Sequence, residues 1–425
     1  MRSQIRRPFA PLSIPNYRRF FVGQVFARCG AWVQTVAEIW LVLRLTGSGV
    51  SLGLTTALQF APMLLLGAWA GVWADRMPKR RILLAAQGWM VAPSLTLLVL
   101  TATGAVELWM VYALVLARGL GHAVDTPVRQ SFVMDVVGRD QVTAAVSLNS
   151  AVVSTARLIG PAMAGGLIAG VGIAPCFAVS CAALLVAVGA LLAVDPVSLQ
   201  RAALSGRYPG QLREGLSQVR SNPALRVPLT AMAVVGTLAF NFQVVLPLMA
   251  RYAFHGGAGT YGALAAAMGA GAVVGAVATA GRGSPSLAGL GAIGLAFGAL
   301  LAAIAAAPTL GLALAALVLM GAASISFTAT TNSLLQLAAP TAMRGRVMAL
   351  WSVVYLGSTC VGGPIVGWVS EHAGPRAGLA LGALATFATG AGVLMAAVRQ
   401  RRAGLPQRRR TALAGGGASP TSLNS

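Results

Sequence analysis

The sequence predicts an all-α membrane protein in which twelve transmembrane helices form two pseudo-symmetric six-helix bundles. Three observations carry that prediction: an apolar composition, long apolar stretches that recur along the whole chain, and an echo between its two halves. Of 425 residues, 57% are hydrophobic and only 9% are charged, whereas a soluble domain is about one quarter charged. The chain also holds 51 glycines, too many for soluble helices but usual where membrane helices pack backbone to backbone.

A membrane helix needs about 20 largely apolar residues. Stretches of that kind place the first six spans at 18–45, 51–73, 81–103, 107–127, 142–171 and 173–194. The second six fall at 226–251, 260–281, 286–307, 309–330, 345–370 and 376–398. Residues 1–17 form an arginine-bearing arm with no cleavable apolar core, so a retained cytoplasmic segment is expected rather than a signal peptide. Residues 195–225 turn polar and basic and contain Pro196, Pro209 and Pro223, marking the linker between bundles 18–194 and 226–398. From 399 to 425 the chain is Arg-rich and then Gly/Ser-rich, which reads as a disordered basic tail at the membrane surface.

The net charge of +22 would suggest nucleic acid in a soluble protein. With both termini inside, 25 of the 31 Lys and Arg fall on the cytoplasmic side, and only Arg44, Arg251 and Arg376 fall outside. That is the bias that orients membrane helices. The expectation is therefore a multi-pass inner-membrane protein with the bilayer, not nucleic acid, as partner. Cys29, Cys176, Cys181 and Cys360 lie in apolar segments without a C-x-x-C pair, and His122, His255 and His372 are scattered. No metal or cofactor is expected, and the chain is expected to work as a monomer.

The echo is parallel. Gly160-Pro161 in the fifth span and Gly363-Pro364 in the eleventh are 203 positions apart. Asp75-Arg76 after the second span and Gly281-Arg282 after the eighth are 206 apart. Two equivalent halves rocking about a central site are the arrangement such a repeat suggests. Each Gly-Pro pair is a helix pivot or a static kink.

Charges inside spans point to function, because each costs roughly 3 kcal/mol at mid-bilayer. Arg28 and Glu38 share the first span but are about 15 Å apart along it, so each needs another partner. Gln34 lies one turn before Glu38 and makes a polar stripe with Thr35. Glu38 is either a protonatable coupling residue or a hydrated residue near the outer surface. Arg118, His122 and Asp125 share a face of the fourth span, forming either a structural network or part of a gate, with Asp125 favoured for the gate. Arg157 either binds an anionic substrate group or braces the fifth span against the fourth.

The loop Gly71-Val72-Trp73-Ala74-Asp75-Arg76-Met77-Pro78-Lys79-Arg80-Arg81 resembles the conserved loop of the major facilitator superfamily, a conformational latch between halves. Pro78 stands where family members often have Gly. Asp125-Thr126-Pro127-Val128-Arg129-Gln130 resembles the D-x-P-x-R-Q of the drug:proton antiporter group that includes enterobactin and macrolide exporters. Leu148-Asn149-Ser150, the run from Arg157 to Pro161, Gly345-Arg346-Val347-Met348 and Gly362-Gly363-Pro364 are similar to the same group.

The resemblance implies a major facilitator fold. It also implies a secondary transporter exporting small amphiphilic molecules, drug-like or siderophore-like, in exchange for protons. On it, Gly71, Asp75, Arg76, Arg80, Arg81, Asp125 and Arg129 form a cytoplasmic gate or latch. Relatives carry an acid after the glycine of the first helix where this chain has Ala31, so either Glu38 replaces it in coupling or coupling differs here. A nutrient importer of the same fold is the first alternative. A membrane enzyme or sensor is the second, but the sequence has no G-x-x-x-x-G-K-[ST] or H-E-x-x-H motif, so no enzyme is expected.

Overall fold

The computed structural model describes residues 9–196, 219, 222–280, 284–340 and 343–415, with the side chains at 67–76, 139, 280 and 401–415 outside that description. Every regular element among these residues is helical. After a short 3-10 turn, Ala10–Ser13, come α1 (Pro15–Thr46), α2 (Gly49–Arg76), α3 (Lys79–Thr103), α4 (Leu108–Val171) and α5 (Ala174–Leu192). The second bundle holds α6 (Pro223–Leu238), α7 (Phe242–Leu248, continued by a π-turn at Met249–Ala253), α8 (Ala258–Ala280) and α9 (Leu287–Ala306). It closes with α10 (Leu310–Ala338), α11 (Arg344–His372) and α12 (Pro375–Gly415).

Three elements depart from the expected spans. α12 stays helical to Gly415, whereas a disordered tail is expected from 399 on. The 64 residues of α4 would run about 96 Å if straight, roughly three times a bilayer core. The chain instead turns at Gly138, where φ is 71° and ψ 175°, a left-handed conformation that costs glycine little. α4 is therefore two antiparallel crossings. The residues expected as a loop between spans are helical up to this turn because Phe132, Val133, Val136 and Val137 bury themselves with Tyr17, Phe20 and Ile82. The seventh crossing, expected unbroken over 226–251, is interrupted between α6 and α7. Asn241 Nδ2 donates to the Thr237 carbonyl (2.6 Å), satisfying one acceptor at the break.

Ten segments are long and apolar enough to cross a membrane by length and composition. The first arm of α4 and α1 complete the twelve crossings. These two carry Gln24, Arg28, Gln34 and Glu38, and Arg118, His122, Asp125 and Arg129, which lower their hydropathy. The helices that look least like membrane spans are thus the ones with polar work to do.

The repeat is visible in the packing. Within the first bundle α2 lies on the first arm of α4, Gly119 facing the Gln59 carbonyl, and α1 lies on α5 through Gly23 and Gly30. In the second, α8 lies on α10 through Gly271 and Gly321, and α6 lies on α12 through Gly382.

The bundles meet along α2 with α11 and along the second arm of α4 with α8. Backbones touch there: a Cβ on Gly363 would come within 2.9 Å of the Gly53 carbonyl oxygen, and one on Gly165 within 2.8 Å of Gly262 Cα. Such approach is open to glycine alone.

The end of the bundle where α1 starts is the near end, and the end where α1 finishes is the far end. Conventional hydrogen bonds between bundles, among the described residues, cluster at the far end. Ser48 Oγ and Val50 N donate to Glu371 Oε2 (2.6 and 2.9 Å). Arg251 Nη1 donates to the Leu43 carbonyl (2.6 Å), and Tyr252 OH to that of Gly47 (2.8 Å). Trp40 stacks on Tyr261 at 6.2 Å just inside them. Two of the three cations that run against the charge bias have a structural task here: Arg251 binds a carbonyl near the end of α1, and Arg376 binds the Ala307 carbonyl at the end of α9 (2.9 Å).

A charged cavity between two bundles

The site begins with Gln34 on α1. Its Oε1 accepts from Ser94 Oγ on α3 (2.7 Å) and Ser180 Oγ on α5 (2.6 Å), while its Nε2 donates to Glu38 Oε1 (2.8 Å). The other oxygen of Glu38 is bonded to Arg118 Nη2 on α4, and Arg118 Nη1 lies 3.3 Å from His122 Nε2. One polar chain thus crosses four helices. Glu38 is 1% exposed and Arg118 2%, so the reading of Glu38 as a hydrated outer residue is overturned. A pair buried this deeply is stable only while both members remain bonded.

A second pair sits two turns nearer the near end. Arg129 Nε donates to Asp125 Oδ2 (2.8 Å), its Nη2 bonds the same oxygen, and Gln87 Nε2 lies 3.4 Å from Oδ1. His122 and Asp125 share a face as their spacing indicated, but their bonds run to different partners.

Between the bundles lies a cavity of about 390 Å³, within the range of small-molecule sites. Arg28, Arg118, His122 and Arg157 line its first-bundle wall, whereas Gln34 and Glu38 stand behind that wall. The guanidinium of Arg157 lies over the Trp32 ring at 5.6 Å. It therefore packs on α1, the first crossing. Pro161 also lines the cavity, and Gly160 lets Trp32 approach the second arm of α4. The second bundle contributes Phe240, Asn241, Phe242 and Gln243 from the break between α6 and α7, with Tyr261 and Tyr355. These residues escaped sequence reasoning, because neutral side chains in a continuous apolar stretch give no signal.

Of the latch residues, the side chains of Gly71, Asp75 and Arg76 lie outside the described residues. Arg80 donates to the Leu191 and Leu192 carbonyls at the end of α5 (2.9 and 2.8 Å), within its own bundle, and Arg81 is exposed. Lys79 pairs with Asp135 (2.8 Å), a contact that spacing alone could not reveal. Gly363 is one of the close-approach glycines of α11, with Gly362 and Gly367, and Pro364 follows it.

Residues 6–411 match the family described as transmembrane secretion effector. The staphyloferrin A transporter of Staphylococcus aureus (strain NCTC 8325 / PS 47) is 32% identical over 152 residues, 35% of this chain and 38% of that protein. Macrolide efflux protein A of Streptococcus pyogenes is 22% identical over 253 residues, 57% of this chain and 60% of that protein. The match thus spans about two fifths and three fifths of these relatives' own lengths. Among solved structures, the nucleoside transporter NupG superposes with a TM-score of 0.74 at 11% identity, covering 89% of this chain and 98% of that one. A bacterial homologue of the human lysosomal transporter Spinster, inward-facing and unoccupied, gives 0.64 at 16% identity, covering 90% and 94%. At these identities the likeness speaks for the fold. With the family match across nearly its whole length and twelve crossings in two bundles around a central cavity, the chain belongs to the transmembrane secretion effector family of the major facilitator superfamily.

Proposed function

We propose that this protein is a secondary active transporter that exports small amphiphilic molecules in exchange for protons. On this reading it sits in the inner membrane as a monomer with both termini cytoplasmic, its bundles 18–194 and 226–398 rocking about the cavity and joined by the linker 195–225. The observation that carries the reading is the buried pair of Glu38 and Arg118, set directly behind the wall of a cavity between two bundles. A carboxylate so placed keeps its charge through Arg118 and can give it up only by taking a proton. Arg118 also faces the cavity, so a molecule bound there bears on the same guanidinium that holds Glu38.

The surplus of Lys and Arg at the near end supports a cytoplasmic near end. With the polar contacts between bundles gathered at the far end, the cavity then faces its loading side. The family description and the efflux and transporter names of the relatives favour export. Purified protein in liposomes with an imposed pH gradient tests the reading on a panel of amphiphilic compounds. Glu38→Gln is expected to abolish uphill movement while leaving downhill exchange. Uphill movement equal to that of the parent removes Glu38 as the proton carrier.

A further inference from the structure

The cavity wall is electrically lopsided. Among the described residues it holds three guanidiniums, Arg28, Arg118 and Arg157, and no carboxylate. Glu38 stands behind the wall and answers Arg118, while Asp125 is bonded to Arg129 and Gln87. That leaves Arg28 and Arg157. Neither makes an ion pair or a hydrogen bond with a described residue, and the Nε of each is buried without a partner. Asp125 acts on Arg28 through space but is already bonded to Arg129. Paired or coordinated charge is the rule for buried groups, so two guanidiniums with no bonded anion favour one supplied from elsewhere.

We propose that the substrate is an amphiphilic anion, its carboxylate or comparable oxyanion held by Arg28 and Arg157 and its apolar body lying against the second bundle. The proposal rests on the transporter reading and names the substrate class of that cavity. Arg28 lies one turn before Trp32 on the same face of α1, and the Arg157 guanidinium lies over the Trp32 ring at 5.6 Å. A cation–π contact uses none of the guanidinium's N–H donors, which leaves them for an oxyanion. Across the cavity, Phe240, Phe242 and Tyr355 offer apolar surface. Between them Asn241 Oδ1 and Gln243 Oε1 are buried acceptors without partners, placed to receive a hydroxyl or N–H on the body of the molecule. A cation would be repelled by this wall, and a neutral molecule would leave both guanidiniums unanswered.

The test uses the purified full chain and three probes with one aromatic body: 2-naphthylacetate, its amide, and 2-naphthylethylamine. Calorimetric titration in neutral detergent is expected to show the carboxylate binding about tenfold or more tighter than the amide, as for a charged hydrogen-bonded pair. Arg157→Gln and Arg28→Gln should each remove that preference while leaving the affinity for the amide, and Arg157→Lys should keep part of it. Tighter binding of the amine, no measurable binding of the carboxylate, or a preference unmoved by both Gln variants overturns the proposal. Binding of phosphatidylglycerol without any binding of the free carboxylate does so too, because the cavity would then be a lipid site. Flux in liposomes separates this from the parent reading: uphill movement of the amine alone leaves the transporter and sinks the anion. Carboxylate binding without flux of any probe does the reverse.

Discussion

Among the described residues Glu38 has one cationic partner, Arg118, and removing it strands a buried charge. Arg118→Met should therefore destabilise the protein by about 3–5 kcal/mol, the cost of an orphaned buried charge. Pairing that change with Glu38→Gln should recover much of the loss. Thermal unfolding of the detergent-solubilised variants reads both, and a double variant no better than Arg118→Met would mean that the pair is not coupled. The sequence showed that Glu38 and Arg28 each needed a partner off their own helix. It could not show which, because Arg118 lies 80 positions away and meets Glu38 only through the packing of α1 on α4. Ser94 and Ser180 were invisible for the same reason: a serine in an apolar helix more often bonds its own preceding turn.

At the scale of elements, two features decide geometry. Gly138 turns α4 back through a positive φ, so Gly138→Ala should cost about 1–2 kcal/mol of stability by imposing a left-handed conformation on a Cβ. An unchanged unfolding temperature would contradict that. At the far end Glu371 on α11 accepts from Ser48 and Val50 at the start of α2, where an acid suits the helix terminus. Glu371→Ala removes a tie between bundles, and cysteines placed at the far end should then react faster with a water-soluble maleimide. Equal labelling rates would show that this contact does not hold the far end shut. Helix number and order were legible because periods of twenty apolar residues are a property of the local chain. The break between α6 and α7 was not, since Ala239, Phe240 and Asn241 interrupt hydrogen bonding without interrupting hydropathy.

For the whole molecule, the two bundles touch through glycine backbones, far-end hydrogen bonds and apolar contacts such as Trp40 on Tyr261. An interface of that kind can be parted as a unit, which is what rocking requires. Its parallel symmetry was readable from the 203-residue spacing of the Gly-Pro pairs. Which end is closed was not, because closure belongs to contacts between segments far apart in sequence, such as Arg251 with Leu43.

Alternating access makes the two ends move in opposite senses. Spin labels on a cysteine-free background at Leu45 and Ala373 would report the far end, and labels at Met77 and Gly345 the near end. Pulsed electron resonance in nanodiscs, with pH and a bound amphiphile varied, should show the far-end distance lengthening in the same samples in which the near-end distance shortens. Distances that stay fixed at both ends, or that grow and shrink together, would contradict a cavity opened alternately to either side.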